Sequence, residues 1–221
     1  FETIRLHQMY RAVAALGAVA ERFAIPVIQY RPRNLCLPSS HPMHAGYEPG
    51  PLLEQADVVL VVDAMVPWLP ERTAPPEDAT IIHLAPDPLF SNLPIRGFPC
   101  DLAIAGSIAA SLDVLDEALT GRGKAASARI DRRRKRFAAE RAERAEKRRA
   151  TIERVRTQSP IHPQWITHCL NEIKQDDSVI IRESPLSPAF MDLNVPCTLF
   201  KAGASAGLGV GLGVGLGAKL A

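Results

Sequence analysis

Apolar residues between Met9 and Phe23 recur three and four positions apart. Val13, Leu16, Val19, Ala20 and Phe23 share one face, which predicts an amphipathic helix. Pro26 cannot continue that helix, so Pro26–Tyr30 reads as a short strand. A polar, proline-rich loop follows through Pro51, and Leu52–Ala56 reads as a helical turn. The pattern then changes to continuous apolar runs. Val58–Val62 is β-branched apart from Leu60 and ends in Asp63; Thr80–Leu84 is followed by Asp87 and Pro88; Leu102–Ala105 is a weaker run broken by Gly106. Runs apolar on both faces predict strands buried in a parallel sheet. Ile108, Leu112, Leu115 and Leu119 then line one face of a helix.

Strands alternating with helices indicate an α/β fold with a doubly wound parallel sheet. Residues 8–120 are expected to form it, with helices on both faces and Val58–Val62 beside Thr80–Leu84 at its centre. The division expected is a Rossmann-like α/β domain over 1–120 with its first strand missing, a basic helical linker over 121–159, and a partial second α/β unit over 160–221. In that last part, His162–Ile166 opens a helix with Ile166, Cys169, Leu170 and Ile173 on one face. Asp176 and Asp177 mark a turn, and Ser178–Ile181 reads as a strand.

Composition alters this picture little: 221 residues, 47% hydrophobic, suit one or two globular domains. Charge alters it more. The formal net charge is +2, but Arg122–Arg156 holds 15 Lys and Arg against 5 Asp and Glu. That stretch shows no apolar stripe and reads as a long solvated helix over Arg129–Arg156. Arg132–Arg136 could bind nucleic acid, yet Phe137 is the lone neighbouring aromatic, and acids interleave with bases at helical spacing. Nucleic acid is therefore not the expected partner. Cys36, Cys100, Cys169 and Cys197 are widely separated and suggest neither a disulfide framework nor a zinc site. A reducing, cytoplasmic compartment fits. Both ends of the chain, Phe1 and Ala221, read as cuts.

Three stretches in order resemble the thiamine-diphosphate-dependent enzymes of the acetolactate synthase group. The first joins Ile25–Val27, His41–Gly46 and Ala56–Asp63, similar to the family's central domain. The second is Ile81–Pro88, followed by Pro94–Ile95 and Asp101–Gly106. The third, Ile161–Gln164 with Asp177–Ile181 and Gly207–Lys219, is similar to the opening of the cofactor domain. The resemblance implies a fragment of an enzyme that decarboxylates a 2-keto acid or joins its two-carbon unit to an acceptor. It implies thiamine diphosphate and Mg2+ as cofactors, and a homodimer or homotetramer when complete. The family's activating Glu belongs to a domain not represented here, and its metal-binding Gly-Asp-Gly motif with Asn is not in this sequence. No catalytic residue and no metal ligand is therefore named.

By register with that family, the resemblance implies that Leu208 would be the apolar residue supporting the bent cofactor, flanked by Gly207 and Gly209. Glu183 and Ser184 occupy the strand end where relatives approach the diphosphate, although Pro185 and Leu186 depart from the family pattern. Some relatives hold FAD at the edge carrying Asp63 and Asp87. Ala64–Trp68 replaces the family's Arg-rich loop, so FAD is not expected. His41, His44 and His83 match no metal spacing. The glycine run could also be a glycine-zipper membrane helix, a flexible tail or a dinucleotide fingerprint. Its uncharged length before Lys219 falls short of the ~20 residues that a span needs. The alternative for the whole chain is a non-catalytic binding or scaffold protein built on the central fold plus a basic helix.

Overall fold

The computed structural model describes residues 2–31, 37–122, 126–183, 186–201 and 207–220, with the side chains of residues 2–7 left aside. Its elements in chain order are α1 (Glu2–Phe23), α2 (Gly50–Glu54), β1 (Val58–Val62), β2 (Thr80–Ala85), β3 (Leu102–Ala105), α3 (Ile108–Thr120), α4 (Ser127–Val155), α5 (Pro163–Ile173), β4 (Ile180–Arg182), β5 (Leu199–Lys201) and α6 (Val210–Leu220). The chain divides by contacts into two units. One contains 1–23 and 48–128, the other 24–47 and 129–221. Residues 24–47 thus pack with the later part of the chain, although in sequence they fall inside the expected 1–120 domain.

In the first unit, β1, β2 and β3 form a parallel sheet in that order. The apolar runs do form parallel neighbours: Val58 stands opposite Thr80 and Val62 opposite Leu84. The expectation that β1 is central is corrected, because it lies at an edge and β2 holds the centre. Two-sided burial fails as well. Only Val61 of β1 is buried, and all four residues of β3 are exposed. An apolar run reports capacity for burial; neighbours decide whether that capacity is used. Leu53, Val61, Trp68, Ala79 and Ile81 form the core cluster of this unit. Helix α3 turns its expected stripe inward, with Leu112 fully buried. It packs along α1, and Arg11 pairs with Asp113 and Arg22 with Asp116 across that contact.

In the second unit, the expected strand Pro26–Tyr30 is reduced to one parallel bridge, Val27 to His44. Buried Gln29 fixes its loop by donating from Nε2 to Leu37 O and accepting at Oε1 from Leu37 N. Strands β4 and β5 pair in parallel over a cluster of Met191, Leu193 and Leu199. β5 has no clear signal in sequence because it is three residues long and contains Lys201.

The basic segment is the helix α4, but it is not free of contacts. Ile130, Phe137, Ile152 and Val155 are buried. Between them Arg144 donates to His44 O at 3.2 Å, and Arg148 donates to Phe190 O and pairs with Asp192 at 2.8 Å. The inward stripe exists, with arginines at its middle positions. Their stems cover apolar surface while their heads reach carbonyls and a carboxylate, so a search for apolar residues alone overlooks it. Helix α5 forms as expected, and the shared face of its apolar residues points to solvent. Ile166, Cys169, Leu170 and Ile173 face solvent, with Ile173 at 78% exposure. Thr167 is the buried residue: its hydroxyl donates to Pro163 O and accepts from Ser187 N.

Candidate functional site

Strand β4 ends at Arg182, and the next residue, Glu183, turns its carboxylate toward the start of α6. Gly209 N donates to Glu183 Oε1, and Gly211 N donates to Oε2 at 3.0 Å. The first amides of a helix lack partners within it, and the aligned peptide dipoles leave positive potential there. One carboxylate satisfies two amides and places negative charge where that potential is greatest. Two glycines make this possible. Gly209 has φ +90°, a left-handed conformation that L side chains rarely adopt. A Cβ on Gly211 would stand 2.8 Å from Glu183 Oε2.

Of the residues that the resemblance assigns to the cofactor, the structure therefore brings Glu183 and Gly209 into contact. Gly207 and Leu208 lie exposed just before α6, and Leu208 is 99% exposed. Ser184 lies outside the described residues. Gly211 belongs to the same arrangement and is not singled out by sequence. It is one glycine among several in an alternating run, and only the approach of β4 to α6 gives it a role. Helix α6 rests on β4 and buries none of its own residues.

The other polar candidates have structural partners. Asp87 accepts from both the backbone amide and the hydroxyl of Ser91, closing the turn after β2. Asp63 follows β1 with φ +46° and donates its amide to Leu84 O. His83 is buried, with Nε2 3.1 Å from Pro99 O and Nδ1 3.4 Å from Arg96 Nη2. A ring with Nε2 protonated donates to the first and accepts from the second. Burial, and then Arg96, lower its pKa. Arg96 itself donates to Ala64 O and Met65 O and stacks against Phe90 and Phe98. It thus fills the strand-end side of β1 and β2, the side where open α/β sheets bind ligands. His41 accepts at Nδ1 from Met43 N. Among the described residues no group of three or more His, Cys, Asp or Glu could hold a metal ion. No helix there is long and apolar enough to cross a membrane.

No protein-family model matches the chain, and no curated protein matches it. Among solved structures, a protein from Mycobacterium smegmatis named as a candidate thiamin diphosphate-dependent enzyme superposes with a TM-score of 0.61. The sequence identity is 21%, and the match covers 94% of this chain and 40% of that one. What the two proteins share is the fold, a mixed α/β arrangement of parallel strands and helices.

Proposed function

We infer that this chain is a part of a thiamine-diphosphate-dependent enzyme of the acetolactate synthase type, acting on a 2-keto acid. The observation that carries the reading is the meeting of β4 and α6 at Glu183. A strand end and a glycine-opened helix N-terminus converge there on one anionic position. The likeness in fold to the mycobacterial protein supports it. When bound, the cofactor would supply a nucleophilic carbon and an electron sink, and protein groups would position it. Gly209 and Gly211 would offer backbone amides to its anionic end, and Leu208 would give apolar support to its rings. The fit is partial: Glu183 holds the two amides, and magnesium requires oxygen ligands beyond those gathered among the described residues. In the complete enzyme the partners are the 2-keto acid, Mg2+ and further copies of the chain.

A second reading is a non-catalytic binding or scaffold protein. Its support is the same carboxylate, which already satisfies the helix amides, together with a solvent-facing Leu208. The decisive experiment expresses the whole genomic reading frame containing this sequence and assays carbon dioxide release from a panel of 2-keto acids. Release that needs both thiamine diphosphate and magnesium is expected. A frame without a Gly-Asp-Gly motif and its Asn, or a folded product with no release from any member of the panel, hands the case to the scaffold reading.

A further inference from the structure

Residues 37–47 run as a strap of turns and bends within the second unit, fastened at two places. One is a knot of hydrogen bonds at Ser39. Its amide donates to Leu193 O, its hydroxyl accepts from Leu193 N, and Ser40 N donates to Asn194 Oδ1. The other is His44. Its backbone bridges to Val27, and its carbonyl accepts from Arg144 of α4 at 3.2 Å. Flanking bonds run from Val27 N to Met43 O and from Ala45 N to Val27 O, and Met43 and Ala45 are buried. The His44 ring is buried too, and its Nε2 has no hydrogen-bond partner among the described residues. Tyr47 stands edge-on to it, with ring centres 5.1 Å apart. The charged groups near the ring are cationic: Arg144 and Arg141 from α4, and His41 from the strap itself. Glu140 and Glu143, the acids that act on Arg144, already pair with Arg136 and Lys147.

A neutral ring fits this place. A protonated ring would bring an N–H without an acceptor and a further positive charge beside two guanidinium groups, and burial makes both costly. We propose that the strap is an acid-operated latch: protonation of His44 releases residues 41–47 from Val27 and α4, while the knot at Ser39 keeps the strap tethered. The strap opens ahead of its unit because few backbone bonds hold it, whereas α4 has its own helical ladder and buries Phe137, Ile152 and Val155. The sign follows from the ring. Burial first, then the neighbouring cations, lower its pKa from 6.5 to about 4 in the closed strap, and an opened strap returns it to water. The open form therefore binds a proton that the closed form excludes. Opening becomes about tenfold easier for each pH unit below about 6.5, until the closed ring itself titrates. Burial of Met43 and Ala45 keeps the strap shut at neutral pH. Neither Glu183 nor α6 takes part, so the fate of the cofactor reading does not decide the latch.

The test is amide exchange on the full 221-residue chain, corrected for the intrinsic effect of pH on exchange. Between about pH 7 and about pH 4.5, protection of the Val27 and Ala45 amides should fall about fiftyfold. Amides at the centre of α4 and in β2 should change by less than about threefold, since they stay closed when the strap opens. His44→Phe keeps a ring against Tyr47 and should abolish the excess fall. His44→Gln, smaller and equally unable to take a proton, gives the same reading if the phenyl ring does not pack. Arg141→Gln removes one cation from beside the ring and should make the fall smaller. In the parent, the ring resonances of His44 should titrate well below the ordinary histidine value. A loss of protection shared equally by α4 and β2 overturns the proposal, because it marks unfolding of the whole. So does a fall that persists in both His44 variants, or a His44 ring that titrates at its ordinary value.

Discussion

His44 is buried, bridged through its backbone to Val27, with its ring edge-on to Tyr47 and its carbonyl held by Arg144 of α4. Burial lowers its pKa from 6.5 to about 4, and the charges of Arg144, Arg141 and His41 add to the effect. The unfolded chain therefore binds a proton near pH 6.5 that the folded chain refuses until pH 4. Stability is complete above pH 6.5 and falls as pH drops through that window, by about 1.4 kcal/mol per pH unit where the gap is fully open. His44→Phe keeps an aromatic ring against Tyr47 and removes the titration. Between pH 7.5 and pH 5 the parent should lose about 2 kcal/mol more than the variant, read from urea midpoints. Parallel losses in the two proteins would show that His44 is not the responsible group. Glu183 poses a different question, because its role is to cap α6. Glu183→Gln keeps an acceptor but loses the charge, and Gly211→Ala pushes a Cβ into the carboxylate. Each should cost about 0.5–2 kcal/mol at the terminus of α6. The double variant should cost less than the two together, since both break one contact. Amide exchange at Gly209 and Gly211 measures it, and full additivity would separate the two effects.

Elements were legible in the sequence where one clear pattern, a continuous apolar run or a helical stripe, marked them. The run Val58–Val62 is β1 to the residue, and the stripe Ile108, Leu112, Leu115 and Leu119 faces inward along α3. The sequence was less informative where polar side chains occupy inward positions. In α4 the inward stripe runs Ile130, Phe137, Arg144, Arg148, Ile152 and Val155, with arginines at its centre. In α5 the buried residue is Thr167, held by two hydrogen bonds, and the apolar stripe points outward. At the candidate site the same division holds. The resemblance points to Glu183 and Gly209, which do touch, whereas Gly211 joins them through a contact made only after folding. These assignments predict opposite responses on the two helices. Phe137→Ala on the charged α4 should cost about 3–5 kcal/mol, as for other buried aromatic truncations. Ile173→Lys on the amphipathic α5 should lie within about 0.5 kcal/mol of the parent. Chemical denaturation of both variants checks the pair, and a severe loss from Ile173→Lys would mean that the α5 stripe is covered in solution.

For the molecule as a whole, the prediction concerns thiamine diphosphate, for which this chain alone should have millimolar affinity at best and no activity. The cofactor's anionic end needs both backbone donors and a magnesium ion, and magnesium demands near-octahedral oxygen ligands at close range. The described residues gather no such set, and the 221 residues contain no Gly-Asp-Gly motif. The two amides that could meet the diphosphate already bond Glu183, so binding must first displace a carboxylate. Leu208 offers its apolar surface without any need to move, being exposed, but burying one such side chain contributes only about 1.5–3 kcal/mol. Association costs about 4 kcal/mol or more in lost translational and rotational freedom, so the balance does not reach micromolar binding. Titration calorimetry with thiamine diphosphate and magnesium, followed by a carbon dioxide assay with pyruvate, is the measurement. A micromolar dissociation constant, or release of carbon dioxide, would show that the region around Glu183 and α6 is sufficient by itself. Glu183→Gln sharpens the outcome: if the carboxylate competes with the diphosphate, removing its charge should strengthen the weak binding severalfold, and an unchanged affinity would take the α6 terminus out of the cofactor site.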